Sequence, residues 1–138
     1  MKELKFNKSD VPQLLLDVKC ENEIIDIHND FLCFAIRVEN DSLMVYLEKN
    51  QPEKNFKPQT KFEYGCIEFK QFEVKDVEKI LSEKLPSTIT NLSIGEIHFP
   101  DAEKNKKTLF VISFVNSELD DYEIVSSELV IKFWNETK

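Results

Sequence analysis

IIDIHNDFLCFAIRVENDSLMVYL, residues 24–47, decides how the chain is read. Glu39-Asn40-Asp41-Ser42 separates two apolar runs. Asn and Asp tolerate the positive φ that a two-residue hairpin turn demands, so Asn40-Asp41 is the expected centre of a turn. Beyond it Leu43, Val45 and Leu47 share one face, the period of a strand with one buried side. Before it Phe31, Cys33 and Ala35 alternate with Leu32, Phe34 and Ile36. Both faces are apolar there, which predicts a strand covered on both sides. No helical period fits the stretch. It reads as a hairpin with a polar knot (Asp26, His28, Asn29, Asp30) in front of it.

The chain on either side continues in strands. Lys2 to Phe6 fits a short edge strand, with Leu4 and Phe6 on one side. In Val11 to Cys20, Leu14, Leu16 and Val18 alternate with Leu15, Asp17 and Lys19, and Pro12 belongs at the strand's start or on an edge. Lys49 to Gln59 is a polar connection with two prolines. Lys61 to Phe72 carries a fault: Phe62 and Tyr64 set one face, then Ile67 and Phe69 fall one residue out of step. Thr88 to Phe99 does the same, with Leu92 and Ile94 followed by Ile97 and Phe99. The only two glycines in the chain, Gly65 and Gly95, stand at these faults. A bulge or bend at each would absorb the slip, so two bent strands are expected there, bending together if they are neighbours.

Between them, Val77, Ile80, Leu81 and Leu85 make an apolar stripe at helical spacing. A helix over Val74 to Leu85 is expected, with Asp76 at its start and Pro86 ending it. Asp101 to Lys107 is a polar loop. Thr108 to Asn116, apolar on both faces, should be a central strand. Tyr122 to Val125 and Glu128 to Trp134 follow, with Leu129, Ile131 and Phe133 inward and Trp134 on the other face with Val130. The expected fold is mainly β, of α+β type. It is an antiparallel two-layer sandwich or strongly curved sheet of about eight or nine strands, in one domain over residues 1–138, with one short helix.

Composition excludes several function classes. Hydrophobic residues at 41% with eleven phenylalanines supply a core without disulfide or metal staples. A net charge of −8 opposes binding to nucleic acid and to anionic membranes, and suits a basic partner. Cys20, Cys33 and Cys66 are too widely spaced for a zinc knuckle or a redox pair, and read as buried thiols of a cytoplasmic protein. The opening MKELKFNKSD has no apolar core of a signal peptide, and the longest apolar run, Phe31 to Ile36, cannot span a bilayer.

Asp26, His28 and Asp30, two apart, would converge on one face of a strand. That arrangement suits a general base with an orienting carboxylate or part of a metal site, but no nucleophile stands nearby, and a polar turn entering the strand, with His28 hydrogen-bonded locally, is the default reading. Glu118, Asp120, Asp121 and Glu123 form an acidic turn without the spacing or central glycine of a calcium loop. It reads as a solvated turn or an acidic recognition patch. The lysines at 104, 106 and 107, and at 54, 57 and 61, lack the interleaved aromatics of a nucleic-acid platform. His98 reads as a strand-end residue. No catalytic residue, cofactor site or metal site emerges. Two binding readings remain: a protein-binding module, or a small β-barrel-like domain whose phenylalanines hold an apolar small molecule.

His28-Asn29-Asp30, the apolar strand, the polar turn and Leu43-Met44-Val45-Tyr46-Leu47 resemble the opening of immunity protein family 50 of bacterial polymorphic toxin systems. Asn29 here separates His28 from Asp30, which are adjacent in that family. Ile67 to Val74 resembles the family's strand leading into a helix or turn, and Ser127 to Phe133 its closing strand. The resemblance implies a cytoplasmic, non-enzymatic protein that neutralises a cognate toxin by direct binding. With this acidic chain the toxin would be basic. The expected partner-binding residues are Asp26, His28, Asp30, Asp120, Asp121 and Tyr122.

Overall fold

The computed structural model describes residues 2–6, 17–50, 60–94, 107–117 and 121–136. In chain order these form β1 (Lys2–Phe6), β2 (Asp17–Cys20), β3 (Glu23–Asp26), α1 (Ile27–Asp30), β4 (Phe31–Glu39), β5 (Ser42–Lys49), β6 (Tyr64–Lys70), β7 (Glu73–Val74), α2 (Val77–Leu81), β8 (Ile89–Ile94), β9 (Thr108–Phe114), a 3-10 turn (Val115–Ser117), β10 (Asp121–Ser126) and β11 (Glu128–Trp134). The fold is mainly β and antiparallel throughout. A five-stranded sheet has the order β1-β11-β6-β5-β4, a four-stranded sheet β7-β10-β9-β8, and β2-β3 is a separate hairpin. The sheets do not close into a barrel.

The two larger sheets share one core. Leu43, Val45, Leu47, Ile67, Phe69, Leu129, Ile131 and Phe133 of the first face Leu92, Phe110, Ile112, Phe114 and Ile124 of the second. The Phe69 and Phe110 rings meet across the gap at 5.8 Å. Phe133 sits between Phe31 and Phe62, with ring centroids 5.6 Å away on each side. The alternation expected in β5 and β11 is therefore the alternation observed. β9 is an inner strand, and its second face is covered locally where Leu109 packs on Val125.

The fault in Lys61 to Phe72 has another cause than its glycine. β6 runs regularly through Gly65, which pairs with Leu47 on one side and Phe133 on the other without a shift of register. Gly65 instead gives room to a neighbour: a Cβ there would lie 3.1 Å from the Phe133 ring and 3.3 Å from the Lys132 carbonyl oxygen. The apparent slip arises because Phe62 lies before the strand and reaches the core from irregular backbone. Gly95 and the rest of its fault lie outside the described residues. The observed bulges fall between Cys33 and Ala35 in β4 and between Ile89 and Asn91 in β8.

The β4 bulge corrects the reading of the opening stretch. β4 is an edge strand, not one covered on both sides. Its apolar residues occupy both phases because the inward set changes phase at Phe34: Phe31 and Cys33 before, Ile36 after. The turn forms as expected, with Asn40 at φ 55°.

A different pair from the one expected bends together, at the corner where the sheets meet. β6 passes through Gln71 (φ 49°) into β7 while β10 passes through Ser127 into β11. Buried Ser126 places its hydroxyl 2.7 Å from the Lys70 carbonyl oxygen, and the Ser127 N–H donates to the same oxygen at 3.0 Å. Side-chain hydroxyls replace ladder bonds where the strands change sheet, so no glycine is needed.

The helix expected over 74–85 is one turn and a half, Val77–Leu81. Asp76 caps it by accepting from the Lys79 N–H at 3.1 Å. Only Ile80 is fully buried, while Leu81 is 40% exposed. Val77 and Leu85 pack on the core only partly buried, and so little anchoring does not sustain further turns against the cost of ordering them.

Candidate functional site: the outer face of the five-stranded sheet

The residues singled out from sequence separate when the chain folds. Asp26, His28 and Asp30 do not share a strand: Asp26 ends β3 and residues 27–30 turn as α1. Asp26 is the N-cap, accepting from the Asn29 N–H at 3.1 Å and the Asn29 amide at 2.7 Å. Buried Asp30 accepts from the Asp26 N–H at 3.0 Å. His28 Nδ1 donates to the Ile89 carbonyl oxygen at 2.9 Å, tying α1 to β8. Helical geometry points His28 away from the two carboxylates, so the knot is a joint between elements.

Asp121 and Tyr122 project to opposite sides of β10. Asp121 is exposed, and its carboxylate accepts from the Ser113 hydroxyl. Tyr122 is buried against Phe114, its hydroxyl donating to Glu83 at 2.6 Å. It is a core residue rather than a contact residue. Beside them Val74, Lys75, Asp76, Lys79 and Glu123 line an open groove of about 440 Å³ with charges of both signs. Glu118, Asp120, His98 and the lysines 54, 57, 104 and 106 lie outside the described residues. Among the described residues, no three His, Cys, Asp or Glu side chains gather closely enough to hold a metal ion.

A different set converges. On the five-stranded sheet the phase opposite the core carries Tyr46 and Met44 on β5, Tyr64 on β6 and Trp134 on β11. Trp134 and Tyr64 are directly paired and stacked, with centroids 6.1 Å apart. Tyr46 opposes Cys66, two residues from Tyr64, so the two tyrosines are diagonal neighbours. The β4 bulge turns Phe34 outward beside Tyr46, at 6.3 Å. The result is an aromatic stripe, Phe34-Tyr46-Tyr64-Trp134, crossing four strands, with buried Cys66 between Tyr46 and Lys132 as its floor. Arg37 lies over the Tyr46 ring at 5.7 Å.

The charges around the stripe are arranged rather than scattered. Tyr46 donates to Glu39 at 2.6 Å, and burial together with that carboxylate pushes its pKa up to about 12, so it stays a neutral donor. The negative charge of Glu136, then burial, raises the Tyr64 phenol. Glu68 accepts from Ser42 at 2.7 Å and Lys132 at 3.0 Å. Burial disfavours the Glu68 carboxylate, but these two bonds outweigh it and its pKa falls. The Glu68 partner raises Lys132 in turn. Half-buried Trp134, Tyr64 and Tyr46 with Arg37 and Met44 form the composition that dominates binding hot spots.

The three cysteines are free and buried. Burial pushes the Cys33 and Cys66 thiols up to about 12, and raises Cys20 as well. A thiol-specific reagent at pH 8 is expected to label none of them in the native protein and all three in denaturant. Rapid native labelling of Cys66 would show that the floor of the stripe is open.

Comparison with protein-family models, curated proteins and solved structures finds no match for this chain.

Proposed function

We propose that this chain is a non-enzymatic binding protein that neutralises a basic protein toxin by covering its surface, as its resemblance to immunity protein family 50 implies. The observation that carries the reading is the aromatic stripe on the outer face of the five-stranded sheet, framed by Arg37, Glu39 and Lys132. Tyrosine and tryptophan bring large contact area with few rotatable bonds, and their hydroxyl and indole N–H add directional donors. A net charge of −8 attracts a basic partner and raises its association rate. Three free thiols fit action in the reducing cytoplasm, where such a toxin would strike.

The test is calorimetric titration with the protein encoded beside this gene, prepared as a catalytically inactive variant. Submicromolar binding that weakens with salt supports the reading. A neighbour with no toxin character, or a toxin domain that does not bind, contradicts it.

A further inference from the structure

Among the described residues, no strand pairs with the second half of the outer edge of β4. At Cys33 the edge is occupied: its N–H donates to the Ser87 carbonyl oxygen at 2.8 Å, and its own carbonyl accepts from the Ser87 N–H at 3.0 Å. Past the bulge this cover ends. The two-residue turn makes Glu39 and Ser42 a hydrogen-bonded pair, so Val38 opposite Leu43, and Ile36 opposite Val45, direct their N–H and C=O groups away from β5. Among the described residues, no backbone group meets them from the open side. Residues 37–41 are exposed in sequence, and Val38 is an exposed apolar side chain at 44%.

The open segment reads Arg37-Val38-Glu39, which is complementary to itself when run antiparallel. A twofold axis through Val38 sets Arg37 of each copy opposite Glu39 of the other. It also pairs the Val38 backbone groups with each other and places the Val38 side chains in contact. Arg37 and Glu39 then form non-hydrogen-bonded pairs, the closer kind, on the same face of the sheet. Both side chains are already held by one residue: Arg37 lies over the Tyr46 ring, and Glu39 accepts from the Tyr46 hydroxyl, leaving a second carboxylate oxygen for the incoming guanidinium.

We propose that two copies of this chain pair antiparallel along β4, joining their five-stranded sheets into one. The axis stands perpendicular to the sheet, so both aromatic stripes lie on one continuous face. The net charge of −8 opposes general self-association and favours a segment carrying its own complementary charges. The proposal rests on β4 alone and is independent of the toxin reading.

Sedimentation equilibrium of the full chain tests it, with far-UV circular dichroism confirming that each variant folds. The wild type is expected to dimerise reversibly. R37E places like charges opposite each other twice and should weaken the dimer by at least about tenfold, and R37E/E39R should restore it to within about threefold. V38P removes an N–H that points away from β5, so the hairpin survives while the dimer is lost. A wild type monomeric up to about 1 mM would overturn the proposal, as would a dimer indifferent to R37E and V38P. A monomer whose V38P variant loses binding to another protein would overturn it in favour of a foreign strand on this edge.

Discussion

Phe133→Ala is expected to cost about 4 kcal/mol, a large share of the roughly 5–15 kcal/mol that holds a domain of this kind together. Phe133 is completely buried, and its ring lies between those of Phe31 and Phe62. Across the strand pair Gly65 has no side chain, and the ring occupies the space a Cβ would take. Truncation therefore empties a site bounded by two rings and a glycine. The flanking rings are themselves packed, and the sheet backbone beside Gly65 is hydrogen-bonded on both edges, so collapse into the void is limited. With a urea m-value of about 2 kcal/mol/M, the unfolding midpoint should fall by about 2 M. A loss below about 1 kcal/mol would mean that Phe133 is not the centre of this core.

Trp134→Ala is expected to leave the protein folded and, on the proposed function, to weaken binding of the toxin by about a hundredfold or more. Trp134 sits on the strand face opposite Phe133 and is only half-buried, so its removal opens no cavity. Its contribution lies in the area it offers with Tyr64, on which it stacks. Tyr64→Ala should have a smaller effect in the same direction. Asp121→Asn and Asp26→Asn should change affinity by less than about threefold, because both carboxylates are committed to neighbouring hydroxyl and amide donors away from the stripe. Titration calorimetry separates the two groups. The reverse order would return the interface to the residues expected from sequence.

That reversal bears on what the sequence could disclose. Strands with a clean two-residue period were legible: Leu43, Val45 and Leu47 on β5, and Leu129, Ile131 and Phe133 on β11, face the core as their pattern requires. Trp134 on the opposite phase was legible by the same rule. β4 was not, because a bulge and an edge strand together give the same two-faced apolar pattern as a buried central strand. Gly65 was misread because its missing side chain serves a ring on the neighbouring strand, a contact with no local signature. The knot at Asp26, His28 and Asp30 was legible as a polar turn entering β4; its three side chains do not share a strand face because residues 27–30 form one helical turn. The stripe itself was hidden for a related reason. Phe34, Tyr46, Tyr64 and Trp134 come from four strands, and only their pairing order and the phase change at Phe34 bring them together.

Trp134 is the only tryptophan in the chain, so its fluorescence reports on the stripe alone. Acrylamide quenching of Trp134, with and without a saturating tryptophan-free form of the toxin, measures whether the partner covers this face. A blue shift and a fall in quenching of about threefold are expected on binding, as for a hot-spot aromatic buried in a desolvated interface. Tight binding that leaves the emission and the quenching of Trp134 unchanged would contradict an interface on this face.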